Sequence, residues 1–252
     1  MTKFLIFLFC GLLSLAGCKK NFKPEDDNVS PDISPEDENV CSTPIASGTA
    51  GTLTWVLCEE GTLTISGKGV MPDYLYQYPY ETHKPPPWYE YQDNIIAVFI
   101  GDDVCNIGNY AFFQYRKITS IAIGKSITII GRSAFQECEG LTSVEIPNSV
   151  TNIKPYAFTH CTGLSSVTIG NSVNDIENHA FSGCSALTKI VNYQEIPPQI
   201  IPNSIGDRYS IPSGTFFDVN NANCTLLVHS GSIEAYSAAE GWKYFVNIKS
   251  IQ

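Results

Sequence analysis

Basic side chains are scarce in this chain of 252 residues. It has 15 Lys and Arg residues against 25 Asp and Glu residues, which gives a formal net charge of −10 at pH 7. A protein that binds nucleic acid needs a cluster of basic side chains to neutralise phosphates. The composition therefore excludes nucleic acid as a partner.

Motifs for common hydrolytic chemistry are also missing. The chain contains neither G-x-S-x-G nor H-E-x-x-H, so it lacks the usual nucleophile elbow and the zinc-protease helix. Gly124-Lys125-Ser126 is similar to the end of a phosphate-binding loop, but Thr119 stands where the first glycine belongs. The histidines His83, His160, His179 and His229 form no pair at zinc-ligand spacing. We therefore expect no catalysis, no metal and no cofactor.

Long apolar runs are limited to the N-terminus. Residues 4–13 follow the single early charge of Lys3, and the run is too short for a permanent membrane span, so residues 1–17 are predicted to be a secretion signal. Leu15-Ala16-Gly17-Cys18 resembles the bacterial lipobox, in which the cysteine receives lipid. With Lys19 next, the resemblance implies a lipid-anchored protein of the outer membrane or cell surface. The alternative is an ordinary signal peptide followed by a chance cysteine.

Residues 18–47 are predicted to be a disordered tether. Seven acids lie between Glu25 and Glu38, and only Val29 and Ile33 are large and apolar. Such a segment cannot bury enough surface to offset its ordering entropy. Its Glu25-Asp26-Asp27 loosely resembles an acidic export signal of bacterial surface lipoproteins, with a plain charged spacer as the equal alternative.

The nine cysteines do not indicate a disulfide framework. Cys10 and Cys18 belong to the signal and the lipobox, which leaves seven, an odd number. An oxidising compartment would permit a bridge between Cys41 and Cys58.

The chain does contain an internal sequence repeat, with a fixed period of 23 residues. An Ala-Phe pair, five apolar ladders and a short cysteine ladder all keep this step. The pairs begin at Ala111, Ala134, Ala157 and Ala180, and the ladders are Ile95, Ile118, Leu141, Leu164 and Leu187; Val98, Ile121, Val144, Val167 and Ile190; Ile100, Ile123, Ile146 and Ile169; Val104, Ile127, Val150 and Val173; Ile107, Ile130, Ile153 and Ile176; and Cys138, Cys161 and Cys184, with Tyr115 in first place. A repeat of this size indicates a solenoid.

One unit, residues 141–163, shows how the coil is built. Val144 and Ile146 alternate with polar neighbours, which predicts a short strand that Pro147 ends. Residues 155–161 are predicted to form one helical or 3₁₀ turn. Stacked units would pile the four phenylalanines into an internal spine and bury the ladder cysteines as small apolar side chains.

The pattern L-x-x-V-x-I-P-x-x-V-x-x-I-x-x-x-A-F-x-x-C resembles the leucine-rich repeat of the bacterial BspA-like surface proteins, over roughly residues 48–252. The resemblance implies an α/β repeat fold that is mostly β. It would be a right-handed solenoid with short parallel strands on one face, an N-terminal β-hairpin cap and a C-terminal capping unit. Ser126, Ser149 and Ser172 stand where the general repeat has Asn, so a buried Asn ladder is not expected.

This organisation divides the chain into three folded parts. Residues 48–94 form the N-terminal cap with an aromatic, Pro-rich loop, residues 95–190 the repeats, and residues 191–252 a loop, a degenerate repeat and the C-terminal cap. Within the last part, residues 191–215 are predicted to be a loop or insertion and Thr215-Phe216-Phe217 the last echo of the Ala-Phe pair. A strand is expected over residues 224–228 and a short helix over residues 232–239.

The outward positions of the strands predict a flat, weakly charged concave face. The resemblance implies that a monomer uses such a face for adhesion to host or bacterial extracellular proteins. The candidate residues are Phe99, Ser120, Ser143, Glu145, Ser166, Thr168 and Lys189. The alternative is that these positions are merely solvated strand faces.

An aromatic stretch within residues 74–91 suggests a second hypothesis. Tyr74, Tyr76, Tyr78 and Trp88 lie among prolines, and an exposed aromatic cluster would make a platform for a glycan, as in a glycan-binding or glycan-enzyme accessory protein. For Trp88 the favoured interpretation is packing over the first repeat.

Overall fold

The computed structural model describes residues 41, 43–75, 84–201 and 214–251. The predicted signal, Cys18 and most of the predicted tether lie outside these ranges. Among the described residues, no helix has the length and apolar character that a membrane crossing requires. The strands are β1 Pro44–Ala50, β2 Leu53–Cys58, β3 Thr62–Ser66, β4 Ala97–Ile100, β5 Asn106–Ile107, β6 Ser120–Ile123, β7 Ile129–Ile130, β8 Ser143–Ile146, β9 Asn152–Ile153, β10 Ser166–Ile169, β11 Asp175–Glu177, β12 Lys189–Asn192, β13 Gln199–Ile201, β14 Thr225–Val228 and β15 Asn247–Ser250, and the one described α-helix is α1 Ile233–Ala238.

The wider side of each coil carries the predicted parallel strand. β4 pairs in parallel with β6, and β8, β10, β12, β14 and β15 follow in the same sense. β6 and β8 lie side by side and join the two groups. The register places Val98 beside Ile121 and Val144 beside Val167, so each apolar ladder lies on the inner face. The predicted mostly-β, parallel-strand solenoid is confirmed.

A second, narrower parallel sheet lines another side of the coil. β5, β7, β9, β11 and β13 pair in order; each of the first four strands has one buried isoleucine, and Ile200 of β13 is partly buried. Ile176 pairs with Ile200, a step of 24 residues, because one extra residue has entered the coil. The prediction of a loop over residues 191–215 was therefore wrong at its start, where β12 and β13 continue the coil.

The side of the coil that holds the Ala-Phe pairs consists of turns, and we name it the turn side. The predicted helical turn over residues 155–161 is not formed on this side. Its backbone amides donate to the next coil: Phe112 N–H to Ala134 O, Phe135 N–H to Ala157 O and Phe158 N–H to Ala180 O, each at 2.8 Å. Those amides are consequently not available for helical hydrogen bonds. Two residues per coil are left-handed; they are Tyr110, Ser133, Tyr156 and His179 in one column and Gln114, Glu137, His160 and Gly183 in the other.

The core is a continuous stack of aromatic rings, as the sequence predicts for its central part. Ring centroids lie 5.1 Å apart for Phe112 and Phe135 and 5.3 Å apart for both Phe135–Phe158 and Phe158–Phe181. Phe216 continues the stack at 5.8 Å from Phe181, which confirms it as the last echo of the Ala-Phe pair.

The ladder cysteines are buried beside this stack, as predicted. The thiols of Cys138, Cys161 and Cys184 donate to Phe112 O, Phe135 O and Phe158 O of the preceding coils at 3.1–3.3 Å. Burial raises the pKa of the Cys161 thiol well above its ordinary value, so the thiol stays protonated. These cysteines therefore act as small apolar groups with one weak donor each.

Side-chain hydroxyls tie the coils together in a ladder that the sequence did not predict. Thr119 Oγ1 donates to Ile96 O at 3.1 Å, Ser165 Oγ to Thr142 O at 2.9 Å and Thr188 Oγ1 to Ser165 O at 3.3 Å. Each bond spans one coil and brings a second donor to a carbonyl that already accepts the backbone N–H of the same residue.

The N-terminal strands form a sheet with the first strand of the repeats. β1 is antiparallel to β2, β2 is antiparallel to β3, and β3 is parallel to β4. Because β1 begins at Pro44, the predicted tether boundary at residue 47 was too late. Cys41 and Cys58 form a disulfide that joins the chain ahead of β1 to the end of β2.

The C-terminal strand and helix predicted from the sequence are present as β14 and α1. Tyr236 of α1 is buried, and its hydroxyl donates to Gln194 O at 2.9 Å. Trp242 is buried against Phe216, 5.1 Å between centroids, so the aromatic stack ends on its indole.

Candidate binding surfaces

The outward side chains of the wide sheet form two rows, which we name the sheet face. Parallel pairing brings equivalent residues of neighbouring coils side by side. One row is Thr62, Ala97, Ser120, Ser143, Ser166, Lys189, Thr225 and Asn247, and the other is Thr64, Phe99, Ala122, Glu145, Thr168, Val191, Leu227 and Lys249. All seven candidate residues from the sequence lie in these rows.

The sheet face is neutral over most of its area. Glu145 and Lys189 are its charged side chains between β4 and β12, and both are exposed. Phe99, Val191 and Leu227 are half-buried and offer apolar surface in the second row. The flanking strands β3, β14 and β15 extend both rows beyond the candidates; the sequence did not reveal this because those strands fall outside the 23-residue period.

Trp88 does not belong to an exposed aromatic patch. Its side chain is 0% exposed, its indole N–H donates to Ala111 O at 3.1 Å, and its ring stacks on Phe112 at 5.6 Å. Placing Trp88 in a glycan platform was therefore wrong, and the interpretation of Trp88 as packing over the first repeat is confirmed. Tyr76 and Tyr78 lie outside the described residues.

Tyr74 lies in a different setting, at the wall of a groove on the turn side. One wall comes from the chain ahead of the first repeat and the other from that repeat's turn. The lining residues are Tyr74, Leu75, Pro85, Pro86, Tyr89, Tyr110, Phe113, Gln114 and Tyr115. We name this the aromatic groove. The sequence did not identify Tyr110, Phe113 or Tyr115 as candidates, and no local motif sets them apart.

The histidines of the repeats do not form a metal centre. His160 is exposed at a left-handed turn position, and the ring of His179 stacks on Tyr156 at 5.2 Å. Within the described ranges, no group of three or more His, Cys, Asp or Glu side chains could hold a metal ion.

Known proteins share the repeat pattern. Residues 88–205 match the family model of the BspA type leucine rich repeat region, in six copies. No curated protein sequence matches the chain.

Seven chains of solved structures are similar to this chain, among them the following three. A leucine-rich repeat protein from Eubacterium ventriosum is 23% identical, with 82% of this chain and 60% of that chain covered and a TM-score of 0.44. The T. pallidum leucine rich repeat protein is 20% identical, with 81% of each chain covered and a TM-score of 0.49. The pneumococcal vaccine antigen PcpA is 17% identical, with 76% and 52% covered and a TM-score of 0.44. The chain thus spans 60% of the length of the Eubacterium protein and about half of PcpA.

Proposed function

We propose that this chain, whose residues 88–205 carry leucine-rich repeats of the BspA type, is a non-catalytic binding module that holds an extended stretch of an extracellular protein along the sheet face. The observation that carries the proposal is the alignment of mostly uncharged side chains, many of them small, in two rows over eight neighbouring strands. The partner is a host or bacterial protein, and the module acts as a monomer.

The dimensions of the sheet face suit an extended polypeptide. Eight strands spaced about 4.8 Å apart give a face about 34 Å long. An extended chain advances about 3.3 Å per residue, so about ten residues of a partner would span it. Small side chains such as Ser120, Ser143 and Ser166 let a partner backbone come close, and Phe99 and Val191 supply apolar contact.

The small number of charged side chains on the sheet face also favours the binding of a protein. Charged groups are depleted at the centres of protein interfaces, because their desolvation is costly. Between Glu145 on β8 and Lys189 on β12 lies β10, which presents only Ser166 and Thr168 outward. A partner that spans the face crosses these two charges, one acidic and one basic, and every other outward side chain from β3 to β14 is uncharged.

We expect Ser143→Arg to abolish capture of the partner, because a long charged side chain at the centre of the face would hold a partner backbone away. Ser185→Arg is the matched control, since Ser185 is also an exposed serine but lies on the turn side. The measurement is quantitative mass spectrometry of extracellular-matrix and bacterial surface proteins captured by the wild-type protein and by both variants.

The expected result is a set of proteins that the wild type and Ser185→Arg capture and Ser143→Arg does not. Equal thermal stability of the two variants would show that the loss is local. If all three proteins capture the same set in equal amounts, the sheet face is not the binding site.

We further propose that Cys18 carries lipid and anchors the protein to the outer membrane or cell surface of a bacterium. The lipobox-like sequence Leu15-Ala16-Gly17-Cys18 supports this address, and buried acyl chains contribute about 0.8 kcal/mol per methylene to membrane binding. In cells fed a labelled fatty acid, Cys18→Ser should remove the label and release the protein from the membrane fraction. A Cys18→Ser protein that keeps both would show that the anchor lies elsewhere.

A further inference from the structure

We propose that the segment held by the sheet face is proline-rich, adopts the polyproline II conformation and places a basic side chain over Glu145, between two apolar side chains. This inference rests on the function proposed above, because it names the class of partner for the same site. It is carried by three side chains of the second row, Phe99, Glu145 and Val191, and by the distances between them.

The second row alternates between side chains that can anchor a partner and smaller ones that leave room beside them. Phe99 and Val191 are apolar and half-buried, and Glu145 is exposed. Ala122 lies beside Phe99, and Thr168 lies between Glu145 and Val191. The three anchors therefore recur on every second strand, which places them about 9.6 Å apart at about 4.8 Å per strand.

A partner that crosses the strands must match this spacing to contact all three anchors. In a polyproline II helix every third residue faces the same way, at intervals of about 9.3 Å, so the third contact is displaced by only about 0.6 Å. A β-strand repeats its face about every 6.7 Å and misses the second anchor by about 3 Å. An α-helix repeats its face about every 5.4 Å and misses the third anchor by about 2 Å. The spacing thus selects polyproline II.

The middle anchor carries an uncompensated charge. Glu145 forms no ion pair among the described residues, and strand geometry puts the backbone of Lys189, in the other row, roughly 12 Å away. On another side of the coil, Lys154 and Glu177 of neighbouring coils pair directly at 2.7 Å. A basic side chain of the partner would supply the missing counter-charge, and complementary charge of this kind fixes the register of a bound segment.

The first row offers groups that suit a proline-rich backbone. Proline has a carbonyl acceptor but no N–H donor, and a polyproline II helix has no internal hydrogen bonds, so its carbonyls are free. Ser120, Ser143 and Ser166 present hydroxyl groups on the three neighbouring strands β6, β8 and β10, and these can donate to such carbonyls. A preformed polyproline II helix also loses little conformational entropy when it binds.

The test compares three labelled peptides by fluorescence anisotropy with the purified protein. P-P-L-P-P-R-P-P-L-P-P carries its apolar and basic side chains at the polyproline II repeat. P-P-P-L-P-R-P-L-P-P-P has the same composition and charge at the wrong spacing, and T-V-T-V-T-R-T-V-T-V-T favours a β-strand. We expect the first peptide to bind the wild type about tenfold or more tightly than either of the others, a difference of about 1.4 kcal/mol or more.

A charge exchange tests the role of Glu145. Glu145→Arg should weaken binding of the first peptide about tenfold or more, because like charges then meet at the middle anchor. The same variant should bind P-P-L-P-P-E-P-P-L-P-P, which the wild type should not bind, and this gain cannot come from misfolding. Glu234→Arg is the matched control, because Glu234 is an exposed glutamate of α1 that belongs to neither row; it should keep the wild-type preference.

The inference is overturned if the first peptide does not bind, if either competing peptide binds as tightly, if Ser143→Arg leaves its binding unchanged, or if Glu145→Arg does not exchange the preferred charge. The capture experiment separates this failure from failure of the proposed function. If Ser143→Arg still abolishes capture of proteins, the sheet face remains a binding site for another class of segment. If capture is also unchanged by Ser143→Arg, both proposals fail.

Discussion

Replacing Phe158 with alanine is expected to lower the free energy of unfolding by about 3–5 kcal/mol, the usual range for truncation of a buried phenylalanine. The ring is 0% exposed and lies between Phe135 and Phe181, 5.3 Å from each. Its loss leaves a cavity that neither neighbour can close, because the backbone of each coil is fixed by hydrogen bonds to the next. Urea denaturation followed by circular dichroism measures the change.

The control for this prediction is Phe217→Ala, which removes the same ring from a side chain that is 48% exposed. A surface substitution of this kind is expected to change stability by no more than about 0.5 kcal/mol. Since each coil contacts only its neighbours, the loss at Phe158 should also broaden the unfolding transition if the solenoid no longer unfolds as one unit. Equal midpoints for the two variants would mean that the spine does not hold the coils together.

The repeat core could be predicted because parallel, in-register stacking gives equivalent residues the same surroundings in every coil. Val144 and Val167 are neighbours in the sheet, and Phe135 and Phe158 are neighbours in the spine. The environment that favours a residue in one coil therefore favours the same residue type at the equivalent position of the next coil, and the fold is visible in the sequence as a fixed period. The same logic gave the positions of the sheet face, since inward and outward residues alternate along a strand.

The turn side could not be predicted from residue types. Its left-handed positions are filled by Tyr110, Tyr156 and His179, although a glycine would be the usual choice there. The sequence signals in residues 155–161 favoured a helical turn, but bonds to the neighbouring coils outweighed that local preference. The second sheet was missed because strands of two or three residues carry too little alternation to be recognised.

The aromatic groove was missed for a topological reason. Its walls come from residues that are distant in the chain, such as Tyr74 and Tyr115, and they meet only because residues 69–75 are added to the stack ahead of the first repeat. In the sequence, Tyr115 occupies the first position of the cysteine ladder and looks like an irregular member of it. In the folded protein its hydroxyl has no partner among the described residues, whereas the thiols of Cys138 and Cys161 are bonded to backbone carbonyls.

Removing the disulfide between Cys41 and Cys58 is the second change for which we expect a large loss of stability. The bond joins residues 17 apart, and closing a loop of about this size is worth about 3 kcal/mol by restricting the unfolded chain. It also fixes β1, which among the described strands pairs only with β2. The double variant Cys41→Ala/Cys58→Ala should therefore be about 2–4 kcal/mol less stable than the wild type in urea denaturation without reductant, which keeps the wild-type bond intact.

The single variants provide the decisive comparison, because a bond is lost completely when either partner is removed. Cys41→Ala and Cys58→Ala should each cost nearly as much as the double variant, so their effects should be strongly non-additive. Cys58 is buried and Cys41 is half-buried. If only the packing of the side chains mattered, Cys58→Ala would lower the stability more than Cys41→Ala, and the two losses would add up to that of the double variant. Additive, unequal losses would show that β1 is held by its hydrogen bonds to β2 and not by the disulfide.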